Sequence, residues 1–163
     1  MEIERKWLIK PAKLPFSLED CERFEIEQFY ISSSPTIRAR SIDGREFILT
    51  VKTKPDDPAL RELARNEYEM PLSRKEFDNL RAISRGRIIR KTRYVRPLED
   101  GLKAEVDVFK GEFSGLAYLE IEFADLQSAE AYPTPSWAER DVTADKRFKN
   151  AHLALHGMPH VDI

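Results

Sequence analysis

Residues 1–9 read MEIERKWLI. Glu2, Glu4 and Lys6 alternate there with Ile3, Arg5 and Trp7. In an extended strand successive side chains point to opposite faces, so two carboxylates and an amine share one side. A solvated face accepts such a row freely. An enclosed face accepts it only where opposite charge is supplied. Whether this strand is one or the other depends on whether its pattern recurs.

It does recur. Period-two alternation marks strands at 2–9, 24–32, 36–41, 46–54, 64–71, 87–97, 102–110 and 117–123. Asp43-Gly44 is a tight-hairpin signal between the third and fourth, and Asp100-Gly101 lies between the sixth and seventh. One face of these strands carries Arg38 and Arg40, Lys52, Glu67 and Glu69, Lys91 and Arg93, Glu105 and Asp107, and Glu120 and Glu122. The opposite faces are more apolar, with Ile37 and Ala39, Leu49 and Val51, Tyr68 and Met70, Val106 and Val108, and Leu119 and Ile121. The sixth strand is the exception, because Arg90, Thr92, Tyr94 and Arg96 share its other face.

Two segments read as helical. Ser73 and Glu76 form a capping-box pattern ahead of Phe77, Leu80 and Ile83, which predicts a helix over 74–84. A broken helical segment is expected over 138–156, entered from Pro133 and Pro135. Eight antiparallel strands with few helices predict a mainly β (α+β) fold. The expected architecture is a closed eight-stranded antiparallel barrel in a single domain over 1–163, with peripheral helices that include a C-terminal one. Closure removes the edge strands and gives every strand an inside and an outside.

Composition bounds the partners. Charged residues are 34% of the 163, above the roughly 25% usual for soluble domains. The 27 basic and 29 acidic residues nearly cancel, to a net charge of -2. A balanced excess argues against long nucleic acid as a partner. Cys21 is the single cysteine and reads as structural, so no intrachain disulfide forms. No secretory leader pattern and no apolar run near the ~18 residues of a membrane span is present. The expectation is a cytoplasmic protein with no membrane partner; a homodimer is compatible with the sequence. His152, His156 and His160 follow no HExxH or Cys/His spacing, which argues against a zinc hydrolase.

The paired charges name a ligand class. Like charges two apart on a strand point the same way and repel, a cost best accepted where a counter-ion sits between them. Lys6, Arg38, Arg40, Lys52, Lys91 and Arg93 suit a polyanion with several tetrahedral oxyanion groups, since Arg offers bidentate forks and Lys point charges. The acidic pairs suit Mg²⁺ or Mn²⁺, hard cations that take carboxylate oxygens and bridge to phosphate. There is no GxxxxGK[ST] loop, so side chains must hold the phosphates.

These residues form an ordered set. EIERK (Glu2, Glu4, Lys6), IRAR, LTVKTK, NEYEMPL, KTRY, AEVDVFKGEFSGL, LEIEF and the tail PSWAERDVTADKRFKN follow one another along almost the whole chain. In that order they resemble the CYTH superfamily, the triphosphate tunnel metalloenzymes. The resemblance implies a tunnel with a charged lumen that binds triphosphate with a divalent metal. It implies that Lys6, Arg38, Arg40, Lys52, Lys91 and Arg93 hold the triphosphate of a small-molecule substrate. It implies that Glu2, Glu4, Glu120 and Glu122 hold metal. Glu4, Lys6, Glu67 and Glu69 are the expected catalytic set, with Glu105 and Asp107 as further lumen acids that bind a second metal, orient water or pair with the cations. Lys146 and Arg147 are candidates beside a tunnel mouth, with solvated charge as the plainer reading. The expected activity is metal-dependent hydrolysis of tripolyphosphate or a small organic triphosphate. The alternatives are a class IV adenylate cyclase, an RNA 5′-triphosphatase and a non-catalytic polyphosphate-binding module.

Overall fold

The alternating strands close on themselves. The structure is a computed structural model that describes residues 1–160. Its strands are β1 (Glu2–Ile9), β2 (Glu22–Ser33), β3 (Thr36–Ile42), β4 (Glu46–Thr53), β5 (Ala64–Leu72), β6 (Arg85–Pro97), β7 (Lys103–Phe109), β8 (Ala117–Phe123) and β9 (Ala138–Asp141). The helices are α1 (Arg74–Arg81), α2 (Leu126–Ala131) and α3 (Asn150–His156). Neighbouring strands run antiparallel in the order β5-β4-β3-β2-β6-β7-β8-β1, and β1 returns to β5 through Glu2↔Arg65 and Ile3↔Ala64. That pairing turns eight strands into a barrel. Asp43 and Gly44, with φ of 54° and 65°, make the β3–β4 turn that a DG pair favours.

The closing seam is short, and it produces the main departure from the sequence expectations. β5 covers only the first residues of β1; β9 takes the edge at Trp7, Leu8 and Ile9. The spacing of Ala138 and Val142 suits a helix, yet 138–141 is a strand. The unpaired backbone groups along β1 outweigh that local preference. Of the expected 138–156 segment, Asn150–His156 forms an α-helix, preceded by a single 3₁₀ turn at Lys146–Phe148. α2 was not anticipated; the Asp125 carboxylate caps it by accepting from the Ser128 N–H at 2.7 Å. α1 carries its capping box, with Ser73 Oγ accepting from the Glu76 N–H at 3.1 Å and Glu76 Oε1 from the Ser73 N–H at 2.8 Å.

Outside the barrel, Trp7 is fully buried among Val106, Leu119, Ile121 and Phe123. Arg5 shares that outer face. Its guanidinium donates to the Ala129 carbonyl at 3.0 Å, to the Tyr132 carbonyl and to Asp141 at 2.5 Å, fastening α2 and β9 to the wall. A second outer cluster of Phe29, Ala39, Phe47 and Phe77 seats α1. The polar outer face of β6 is matched across to β2: Arg90 donates to Glu27 at 3.3 Å and the Thr92 hydroxyl to Glu25 at 3.1 Å. No helix among the described residues is long and apolar enough to cross a membrane.

Inside, the barrel is divided. Leu8, Tyr30, Ile89, Phe109 and Tyr118 lie in the inward phase of their strands, and all belong to one buried apolar cluster. Phe148, Leu153 and Ala154, from the turn before α3 and α3 itself, complete it. The C-terminal segment therefore plugs one end. Gly86, with φ of 74°, allows the approach: a Cβ there would lie 2.2 Å from the Ala154 carbonyl oxygen. Beyond the plug, most inward positions are charged, with Gln28 and Thr50 as buried uncharged ones.

Candidate active site

The charged interior encloses a cavity of about 320 Å³. That lies at the low end of small-molecule sites, which run roughly 300–1,000 Å³. Period two along each strand decides what faces it. β1 contributes Glu2, Glu4 and Lys6; β3 Arg38 and Arg40; β4 Lys52; β5 Glu67 and Glu69; β6 Lys91 and Arg93; β7 Glu105; β8 Glu120 and Glu122. Asp107 is set apart from these expected lumen residues. It lies behind the lining, fully buried, and acts on the cavity through the cations it holds.

On the β6–β8 side every cation has a carboxylate. Asp107 accepts from Arg93 Nε at 2.8 Å and Nη2 at 2.9 Å, and its second oxygen lies 2.9 Å from Lys91 Nζ. Burial works against the Asp107 charge, but Arg93 and Lys91 outweigh it and hold the carboxyl well below its ordinary range. Arg93 also reaches Glu105 at 2.7 Å. Glu120 lies 3.6 Å from Lys6, and across the barrel, on β4, Lys52 lies 2.8 Å from Glu2 of β1. Lys6 and Lys91 stand over the plug's aromatic rings, at 4.9 Å from Tyr118 and 5.5 Å from Phe109, a favourable seat for a cation. Burial pulls Lys91 down to about 7 despite Asp107.

On the β3 side no cation has a carboxylate within salt-bridge distance among the described residues; burial opposes the Arg38 charge, but Tyr30 and the more distant Glu67 outweigh it and hold the guanidinium above its ordinary value. Arg38 is buried, with 9% of its surface exposed, and its Nε has no hydrogen-bond partner among the described residues. Among the described residues Arg40 donates only to the Gln28 side-chain oxygen, at 3.3 Å. Burial, then Arg38 and Arg93, pull Arg40 down to about 9. Two adjacent guanidiniums left this way have the chemistry to accept an anion.

The acids near the β1–β5 seam show the opposite imbalance. Burial, then Glu120 and Glu2, push Glu4 up to about 8. Burial raises Glu2 and Glu122 as well, with Glu67 adding to both. Lys52 offsets only part of this crowding, and the carboxylate oxygens are hard donors, the chemistry that Mg²⁺ or Mn²⁺ requires. The donor set fits such an ion, although no three metal-ligating side chains among the described residues are already gathered round one point. Glu69 stands at the exposed rim of the cavity.

Five residues here escaped the sequence reading. Gln28 is fully buried; its amide nitrogen donates to the Tyr30 hydroxyl at 2.8 Å and to Asn150 Oδ1 at 3.2 Å. Asn150 Oδ1 also accepts from Lys91 Nζ at 3.0 Å, so α3 reaches the cation wall. These three are uncharged, and a search for paired charges passes over them. Arg65 shares the phase of Glu67 and Glu69 and lines the cavity, as does Lys149 before α3. Lys146 and Arg147 are exposed, and Arg147 pairs with Asp145 at 2.7 Å.

The pattern of the CYTH domain matches residues 1–146. The chain is 36% identical over 157 residues to an inorganic triphosphatase from Nitrosomonas europaea, covering 94% of this chain and 97% of that one. It is 30% identical over 152 residues to an inorganic triphosphatase from Acetivibrio thermocellus, covering 93% and 92%. A crystal structure of an inorganic triphosphatase superposes with a TM-score of 0.66 at 34% identity, covering 95% of each chain.

Proposed function

The chain belongs to the CYTH domain family, and from that premise we propose that it is a divalent-metal-dependent triphosphatase acting on tripolyphosphate or a small organic triphosphate. The observation that carries the reading is the Arg38–Arg40 pair: charge held beside a cavity with no carboxylate in salt-bridge contact among the described residues. The two relatives named inorganic triphosphatases favour hydrolysis over cyclisation.

In this reading Arg38, Arg40 and Lys52 bind the phosphate oxygens from the β3–β4 side. Arg93 and Lys91 face them from β6, their positions fixed by Asp107. Lys6 closes the ring from β1. Such preorganised cations are worth most where charge develops on the transferring phosphoryl group. Glu2, Glu4, Glu120 and Glu122 would hold Mg²⁺ or Mn²⁺, which supplies neutralisation of phosphate charge and activation of water. Glu67 and Glu69 orient water at the open side. The apolar plug keeps bulk water from the other end, so the charge interactions stay strong.

A phosphate-release panel tests the proposal, with tripolyphosphate, ATP, GTP and thiamine triphosphate against Mg²⁺ and Mn²⁺. Metal-dependent release of orthophosphate is expected, and Glu4→Gln is expected to abolish it while the fold persists. Cyclic AMP and pyrophosphate from ATP would point to the cyclase. Tight tripolyphosphate binding with no turnover would point to a binding module.

A further inference from the structure

The last helix carries two groups that the charged cavity does not use. His152 and His156 stand four residues apart on α3, so both rings lie on one side of it, with their centroids 4.3 Å apart. His152 is half-buried and His156 exposed, while Leu153 and Ala154 between them are buried in the plug. Neither histidine lines the cavity. The pair therefore sits on the side of α3 turned away from the triphosphate site.

His152 Nδ1 is hidden from water and has no hydrogen-bond partner among the described residues. A buried ring nitrogen left in that state costs free energy, which a ligand reaching it would remove. Burial, then the His156 ring beside it, hold the His152 imidazole below its ordinary value, so it is neutral and able to act as a ligand at pH 7. Asp145 and Arg147 act on it in opposite directions and are paired with each other at 2.7 Å. Two imidazoles at i and i+4 are the spacing by which one helix face grips a transition metal. Imidazole nitrogen suits Zn²⁺, Ni²⁺ and Cu²⁺, whereas the lumen carboxylates suit harder cations. Leu153 follows His152 where an HExxH centre carries its glutamate base, so this pair offers ligands and no base.

We propose that His152 and His156 form a site for one divalent transition-metal ion of the Zn²⁺ class, separate from the lumen, and that the bound ion clamps the last turn of the plug helix. Water completes the coordination shell. α3 is a helix that such a clamp would steady: it has seven residues, no side-chain cap on its first turn, and a length at which helices are marginal on their own. The same helix holds Asn150 against Lys91 at 3.0 Å, so the ion would brace the cation wall without touching it.

Proton NMR of the untagged protein in excess Mg²⁺, with Zn²⁺ as the probe, tests this. The chain has 3 histidines, few enough for every ring to be followed. The His152 and His156 signals are expected to shift together and to saturate at equimolar Zn²⁺, with His160 unmoved. Mg²⁺ occupies the lumen carboxylates, and an ion bound there touches none of these rings. His156→Gln changes an exposed side chain and is expected to weaken Zn²⁺ binding about tenfold or more, since even the outer partners of metal ligands are worth about 10–100-fold. His152→Gln should do the same. Zn²⁺ should also raise the melting temperature of the wild type and leave that of His156→Gln unchanged. Rings unmoved by Zn²⁺, or a His156→Gln variant that binds it as tightly as the wild type, overturns the site. A melting temperature raised equally in both proteins overturns the clamp.

Discussion

The two cation walls of the barrel are built on opposite principles. On β6, Lys91 and Arg93 share a buried carboxylate, Asp107, and Arg93 has Glu105 as well. On β3, Arg38 and Arg40 have no carboxylate in salt-bridge contact among the described residues, and Arg38 keeps an unbonded Nε. A compensated cation is fixed in place before any ligand arrives. An uncompensated one costs stability in the empty protein and returns it when an anion binds. In the proposed triphosphatase, the β6 wall supplies position and the β3 wall supplies attraction.

Asp107→Asn is the largest test of this division. It leaves Lys91 and Arg93 buried with too little negative charge, and breaking such a pair costs about 3–5 kcal/mol. Urea denaturation should show that loss. The linkage has a definite sign. The Asp107 carboxyl is held below its ordinary 3.8, so its contribution is present above that pH and disappears as pH falls through the folded-state value. Arg40→Met should do the reverse. Phosphate release is expected to fall about 10²–10³-fold, the scale of losing one preorganised donor, while the melting temperature holds or rises. A melting temperature that falls as far as in Asp107→Asn would erase the contrast between the walls.

Gly86→Ala acts on the plug. The added Cβ meets the Ala154 carbonyl at a positive φ, so α3 must shift and draw Asn150 from Lys91. A loss of about 1–3 kcal/mol is expected by thermal melting, with a smaller loss of turnover. The smallest effect is a proton count. Lys91 at about 7, Lys149 at about 8 and Arg40 at about 9 hold their protons less firmly than usual, because burial and neighbouring cations oppose the charge. A polyanion reverses that. Metal-free tripolyphosphate binding at pH 8 should take up protons, and the uptake should fade by pH 6, where the lysines are already charged. Calorimetry in two buffers of different ionisation enthalpy reads this, and proton release at pH 8 would contradict it.

Much of this was legible in the sequence because a closed barrel enforces period two. Glu2, Glu4 and Lys6 face inward for the same reason that Trp7 faces outward, and each expected strand is present with its ends shifted by at most two residues. What alternation does not show is which inward charges neutralise one another. Asp107 and Glu105 look alike at 105 and 107, yet one is walled in and the other lines the cavity. That follows from the neighbours Lys91 and Arg93 across the sheet. β9 was unreadable because its cause is not local: it exists to pair an edge of β1. Arg5, odd on an outer face, is explained by α2 and β9, which no strand pattern reveals.

The most direct test of the account is a crystal structure with tripolyphosphate bound. A phosphate oxygen is predicted about 3 Å from Arg38 Nε, with Arg40 beside it and the Asp107–Arg93 bonds unchanged. Ligand held on the Lys91 and Arg93 side, with Arg38 Nε still unbonded, would contradict it.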